Sequence, residues 1–446
     1  MDTFTPVYVP VGVPTFHMES AEDAFVRSSA LLSALDPRFV IPGQKLLSID
    51  ALAEYLNPLR PDLIVFQNLT FANSAYISEV LRRFDCPVVL WTLREPVTDG
   101  GRLRLNSLTG AYSAANAMRA FGDRPFRYVF GSPEEPQTKE AVLAALKAAE
   151  VKHALRSLKL AAVGHTPQGF GFGRGLDSEL LYRFGVELVS IEARELIEKA
   201  KAYTEEECAC WLDKTASMTC GLESIPPRNR IDHARLMKAY YEFAQESGFG
   251  ALASRCWPDF FTSFGTPVCT VLSMLNDMGV VSACEADVCG AVSMWIGAFL
   301  SGQPAFFGDP VSLDEKENTI TFWHCGAAAC SLARRDTGAA VGVHPNRKIG
   351  PVMDFGCEAW PEATVFRIGR EADGSYRFFL MEGSILDKPK QFTGTSVVFC
   401  PDTACRPAVE KSVRDGFEPH FAVIRGRWAA ALSALADMFR IPVFRY

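Results

Sequence analysis

DLIVFQNL, residues 62–69, is a short apolar run bounded by turn-forming residues and reads as a β-strand. Working outward from it, VYVPVGV (7–13) precedes it, and PVVLWTL (87–93) and FRYVFGS (126–132) follow with the same character. The stretches between them, 19–36, 73–84, 107–121 and 138–150, carry apolar residues at helical spacing. Strand and helix therefore alternate as in βαβ units, which predicts a doubly wound parallel sheet with its ligand side at the carboxyl ends of the strands.

The pattern restarts at LKLAAVG (158–164) and continues through SELLYRFGVELVSI (178–191), a helix over Tyr203–Thr219 and a long helix over Asp232–Gly248. TITFWHC (319–325), TVFRIGR (364–370), YRFFLME (376–382) and TSVVFC (395–400) are short strands separated by Gly, Asp and Pro, as in a small antiparallel barrel or sandwich. A last helix, WAAALSALADMF (428–439), leads into the strand IPVFRY. The expected class is α/β: two doubly wound parallel-sheet domains, 1–155 and 156–305, then a smaller β-rich C-terminal domain, 306–446.

The 446 residues suit two or three domains at roughly 150 residues each. A net charge of -7 and no Lys/Arg run argue against nucleic acid as a partner. MDTFTPVYVPVGVP lacks the basic and apolar regions of a secretory signal, and no apolar stretch reaches the roughly 18 residues of a membrane span. Thirteen cysteines, an odd number, then read as reduced thiols of a cytoplasmic protein, most of them small core residues.

The densest chemistry lies in VVSACEADVCGAVSMWIGAFLSG (280–302), where an apolar strand ends in Glu285 and Asp287 before an apolar helix. Residues i and i+2 of a strand share a face, so the two carboxylates are expected side by side, holding a hard divalent cation with one acid free for proton transfer. The bland alternative is that Asp287 caps the helix and Glu285 is solvated. His324, in WHCG (323–326), and His420, in FEPHFAVIRGRW (417–428), are each more often core histidines than ligands. With the two acids they nevertheless make the N/O donor set of Mn, Fe, Co or Zn. Trp257 in RCWPDFF (255–261) and Trp91 in LWTLREP (90–96) are candidate sugar-stacking faces, with core packing the alternative. HTPQGFGFGRG (165–175) is not a dinucleotide fingerprint and reads as a loop over a pocket.

ACEADVCGAVSMWIGAFLSGQPAFFGD (283–309) resembles the L-fucose isomerase segment in which a metal-binding aspartate precedes a helix, and Asp287 takes that aspartate's place. HFAVIRGRWAAALSALADMFRIPV (420–443) resembles the family's final segment, with His420 on its metal-binding histidine. RCWP, CEAD and HCG are similar to segments of shorter fucose isomerase-like proteins. The resemblance implies a metal-dependent aldose-ketose isomerase in which a divalent ion, Mn2+ first, holds two sugar oxygens while a carboxylate moves a proton between C1 and C2. Asp287 and His420 would be ligands and Glu285 a ligand or the proton carrier; the WHCG motif itself, and not the resemblance, suggests His324 as a substrate-binding residue that could complete the metal shell.

One departure concerns the family's further glutamate, which lies some two dozen residues before the aspartate. FGTPVCTVLSML (264–275) has no acid there, Cys269 standing nearest, so Glu285 or Asp259 is expected to substitute. The partners implied are a small-molecule sugar and other copies of the chain in a homo-oligomer. Two alternatives stay open: an isomerase or epimerase of a sulfonated or phosphorylated sugar, which would need convergent arginines such as Arg94, Arg102, Arg104 and Arg174, and a non-catalytic sugar-binding protein.

Overall fold

The computed structural model describes residues 3–446. The chain divides into two compact units. One holds the described residues up to Ala154 with Ala430–Ile441, and the other holds Leu155–Ala429 with Pro442–Tyr446. The second and third segments read from the sequence thus share one unit, and most of the last helix lies with the first.

In the first unit, strands β1 (Pro6–Val11), β2 (Leu63–Asn68), β3 (Val88–Thr92) and β4 (Phe126–Phe130) form a parallel sheet in that order. Val40 and Leu46 bridge the free side of β1 opposite Val7 and Val11, so the first strand of the chain is interior. Val9, Ile64, Phe66 and Leu90 form its core with Leu52, Ile77, Val80 and Met118 of the covering helices.

The second unit repeats the scheme. Strands β5 (Lys159–Val163), β6 (Glu187–Ile191), β7 (Ala251–Ser254) and β8 (Val281–Cys284) make a parallel sheet in the order β6-β5-β7-β8. The order reverses between β5 and β7, where a doubly wound sheet opens its ligand crevice.

The same unit contains β9 (Phe306–Asp314), β10 (Thr319–His324), the two-residue β11 (Val341–Gly342) and β12 (Val352–Met353), β13 (Trp360–Arg370), β14 (Tyr376–Ile385), β15 (Thr395–Pro401), β16 (Phe421–Arg425) and β17 (Val443–Arg445). Antiparallel pairing runs β13-β16-β9-β10-β15-β14 and returns to β13, closing a six-stranded barrel, with β17 added in parallel to β14. Closure leaves none of the six ring strands as an open edge.

Helix Val288–Ser301 contacts β7 and β8 of the sheet and β13 and β16 of the barrel. A helix covered on two sides is apolar all round, which explains the run VCGAVSMWIGAFL. Two glycines permit the close approach. A Cβ on Gly290 would lie 2.6 Å from Phe307 Cζ, and one on Gly297 would lie 2.6 Å from Ile424 Cγ1. Gly297→Val is expected to lower unfolding stability by about 1–3 kcal/mol through overpacking, read from the urea midpoint. An unchanged midpoint would mean that this helix face is not held against the barrel.

Candidate active site

Strand β8 ends at Cys284, and the next two residues leave the extended conformation: Glu285 has φ 59 and Ala286 φ 54. Two successive non-glycine residues in the left-handed region are strained, at about 1–3 kcal/mol each, and such strain concentrates at functional sites. The turn separates the two acids that the sequence suggested were side by side on a strand. Glu285 lines a pocket of ≈ 250 Å³, while Asp287 becomes the N-cap of helix Val288–Ser301.

Asp287 is fully buried and all its acceptor directions are used. Oδ1 accepts from the Gly290 backbone N–H at 2.7 Å and from Arg367 Nη2 at 3.2 Å. Oδ2 accepts from Arg367 Nη1 at 2.7 Å and lies 2.9 Å from His420 Nδ1. Arg367, on β13, is itself buried and also donates to the His420 carbonyl oxygen at 3.0 Å. Burial acts to raise the Asp287 pKa, but the Arg367 charge and the His420 hydrogen bond outweigh it and hold the carboxyl well below the usual range. Asp287, expected as a metal ligand, here has both oxygens engaged by protein groups: with its Nδ1 side occupied by Asp287, His420 turns Nε2 towards Glu285 Oε2 at 3.0 Å and Asp309 Oδ1 at 3.4 Å.

Four side chains thus converge from two layers. Glu285 comes from the end of the sheet, Asp309 from β9, His324 from the last position of β10, and His420 from the residue before β16. Donor atoms of Glu285, His324 and His420 lie within 4.8 Å of one another. Phe172 and Phe307 pack on the His420 ring at 5.2 and 5.0 Å, and Trp257 Nε1 donates to Glu285 Oε1 at 3.0 Å. Burial lowers the His420 pKa, yet its hydrogen bonds to Asp287 and Glu285 push it up to about 9. Burial likewise opposes charge on His324, but Cys325, Asp309 and Glu285 raise it to about 10. Glu285 is shifted down, because His420 and His324 outweigh its burial. Asp309 is shifted up, chiefly by burial. The cluster stabilises positive charge where the donor atoms meet, and two nitrogens with one or two carboxylate oxygens fit a divalent cation.

The C-terminal part of the chain, residues 352–446, matches the family described as L-fucose isomerase, C-terminal domain. Over the whole of both chains it is 60% identical to a sulfoquinovose isomerase of Clostridium sp. (strain MSTE9) and 37% identical to one of Priestia aryabhattai. A third sulfoquinovose isomerase, from Alkalicoccus urumqiensis, is 35% identical over 98% of each chain. The chain belongs to the fucose isomerase-like superfamily. It is an isomerase. Among solved structures, a solute-binding protein of an ABC transporter from Agrobacterium vitis bound with alpha-D-tagatopyranose matches 68% of the chain and 90% of its own, at 13% identity and a TM-score of 0.18, too remote to carry an argument.

In this fucose isomerase-like protein the other residues singled out by sequence fall in different places. Trp257 lines the pocket with Phe170, the latter from the glycine-rich loop after β5. Trp91 does not offer a face to a ligand: it is fully buried in the first unit and its indole donates to the Gly131 carbonyl at 2.9 Å. Asp259 pairs with Arg255 at 2.8 Å and is not on the pocket wall. Arg94, Arg102 and Arg104 belong to the first unit, and Arg174 donates to Thr166 Oγ1 at 3.0 Å. The arginine on the pocket wall is Arg347, which sequence reasoning missed along with Asp309 and Arg367. All thirteen cysteines are free thiols, and those of Cys256, Cys269 and Cys325 meet Cys284, with Cys325 also on the pocket wall beside His324. No described helix is long and apolar enough to cross a membrane.

Removing Arg367 leaves a buried carboxylate without its cation, so Arg367→Met is expected to cost about 3–5 kcal/mol of unfolding free energy in urea titration; a loss below about 1 kcal/mol would contradict the buried pair. His420 is raised from roughly 6.5 in the unfolded chain to about 9 in the folded one. Its contribution is complete below the lower value and is lost as pH rises through the higher one. In metal-free protein the urea midpoint is therefore expected to fall across that window, with a shallower fall in His420→Gln. Identical slopes would refute this origin.

Proposed function

We propose that this protein is a metal-dependent aldose-ketose isomerase of a sulfonated hexose of the sulfoquinovose type, interconverting C1 aldehyde and C2 ketone. The observation that carries the proposal is the convergence of Glu285, His324 and His420 beside Asp309 in one pocket. Full-length similarity to sulfoquinovose isomerases supports the choice of a sulfonated substrate.

Glu285, His324 and His420 would hold the ion, manganese being our first choice for a nitrogen and carboxylate set of this kind. When bound, such an ion supplies Lewis-acid polarisation of adjacent sugar oxygens. Asp287 keeps the His420 ring oriented, and Trp257 holds Glu285 through its indole N–H. Asp309 is the proton carrier. Burial raises its carboxyl towards the range in which one group can both accept and return a proton. Asp309 takes the C2 proton of the open-chain aldose, the C2–H electron pair forms the C1–C2 double bond of an enediolate, the O2 hydroxyl proton passes to O1, and the Asp309 proton is added to C1 as the C2 oxygen becomes a carbonyl. It thereby fills the role for which the sequence around Cys269 offers no acid, and for which Glu285 or Asp259 was expected. Phe170, Phe172 and Phe307 pack around the His420 ring and hold it in place.

Isomerisation in deuterium oxide provides the test. The wild-type protein is expected to form ketose from sulfoquinovose with deuterium entering at C1 of the ketose and at C2 of the aldose re-formed from it, and Asp309→Asn to lose roughly 10²–10⁴-fold in that exchange while retaining its metal. Glu285→Gln is expected to lose metal as well as turnover. Undiminished exchange in Asp309→Asn would remove Asp309 from the reaction, and a wild-type protein inert towards sulfoquinovose would overturn the function.

A further inference from the structure

The metal-binding wall accounts for only part of the pocket. Opposite chemistry stands on the rest of its lining, where His344, Asn346 and Arg347 come from the loop between β11 and β12. Arg347 has its guanidinium carbon 4.9 Å from the Trp257 ring centre and 5.1 Å from that of Phe261. Among the described residues no carboxylate lies within ion-pair distance of it. Cation–π contact with two rings holds the guanidinium on the pocket wall without neutralising it, so its N–H donors are available to a ligand.

His344 adds a second donor. It is 2% exposed, and its Nδ1 faces the backbone N–H groups of Asn346 at 3.2 Å and Arg347 at 3.4 Å. A nitrogen that accepts those bonds cannot carry the ring proton, so the proton sits on Nε2. Its ring stands edge-on to Phe261 at 5.1 Å, which fixes its orientation. Carboxylates thus mark one wall of the pocket and an uncompensated guanidinium with a buried imidazole N–H marks another. A neutral sugar has no use for that separation of charge. A sugar with an anion at the end remote from its carbonyl matches it.

We propose that Arg347, with His344 and Asn346, forms the subsite for the sulfonate carried on C6 of the substrate. This rests on the isomerase reading for the other end of the sugar. The guanidinium supplies parallel N–H donors to two sulfonate oxygens, His344 Nε2–H and the Asn346 side chain supply the remaining donors, and Trp257 joins the two halves by stacking under Arg347 while bonding Glu285.

Binding to the metal-loaded, full-length protein tests the subsite apart from turnover. The probes are 6-deoxy-6-sulfo-D-glucitol and D-glucitol, alditols that have no carbonyl to isomerise, with D-glucitol 6-phosphate as a third ligand. Titration calorimetry is expected to give the sulfonated alditol roughly 10- to 100-fold tighter binding than glucitol in the wild-type protein, and to erase that advantage in Arg347→Met. Glucitol itself should bind both proteins alike. Arg347→Lys, which keeps the charge without the planar fork, should retain an intermediate preference. Equal sulfonate preference in Arg347→Met, an equal loss for the neutral alditol, or tighter binding of the phosphate than the sulfonate would each overturn the assignment. A sulfonate preference that depends on Arg347 in a protein unable to isomerise sulfoquinovose would uphold the subsite and refute only the proposed reaction.

Discussion

The buried contact between Asp287 and Arg367 is the constraint on which the second unit turns. One carboxylate caps a helix, neutralises the guanidinium of a barrel strand and grips His420. Each of those partners belongs to a different element, so the first residue of the helix, strand β13 and the start of β16 must meet at one point. Charge without a partner would be prohibitive in a site this dry, and that is what makes the meeting point specific.

Around that point the work is divided between the layers. The parallel sheet presents the loops at the carboxyl ends of β5, β7 and β8, which deliver Phe170, Trp257 and Glu285. The barrel contributes Asp309 from within β9, His324 at the end of β10 and His420 just before β16. Neither layer has a complete donor set alone. The strained turn at Glu285 and Ala286 is what lets residues two apart in sequence face opposite edges of the same imidazole, one carboxylate on Nδ1 and the other on Nε2.

Much of this architecture was legible because it rests on local patterns. Short apolar runs such as 62–69 and 87–93 announce buried strands, and the change to β-rich segments after 311 announces the barrel. The C-terminal resemblance, too, coincides with the part that matches the L-fucose isomerase domain. The site was only half readable. Glu285, His324 and His420 stand out by residue type, and the capping alternative for Asp287 was visible in its position before an apolar helix. What periodicity cannot convey is left-handed backbone at a non-glycine residue: strand alternation continued through Cys284 would put Glu285 and Asp287 on one face. Asp309 sits in FFGDP and Arg367 in TVFRIGR, each a charge next to apolar strand residues whose partners lie far away in sequence. Trp91 failed for the opposite reason, since a strand end in the first sheet is still its interior.

The division of the proposed ligands between sheet and barrel has a thermodynamic corollary. An ion held by Glu285 on one side and by His324 and His420 on the other would bind the assembled layers and have little hold on the separated chain. By mass action, free ion at about 100 times its dissociation constant would add roughly 2.7 kcal/mol to folding. The supply of the cation would then set how long the protein survives as well as how fast it works, so a cell short of the ion would lose the enzyme twice, first by idleness and then by unfolding.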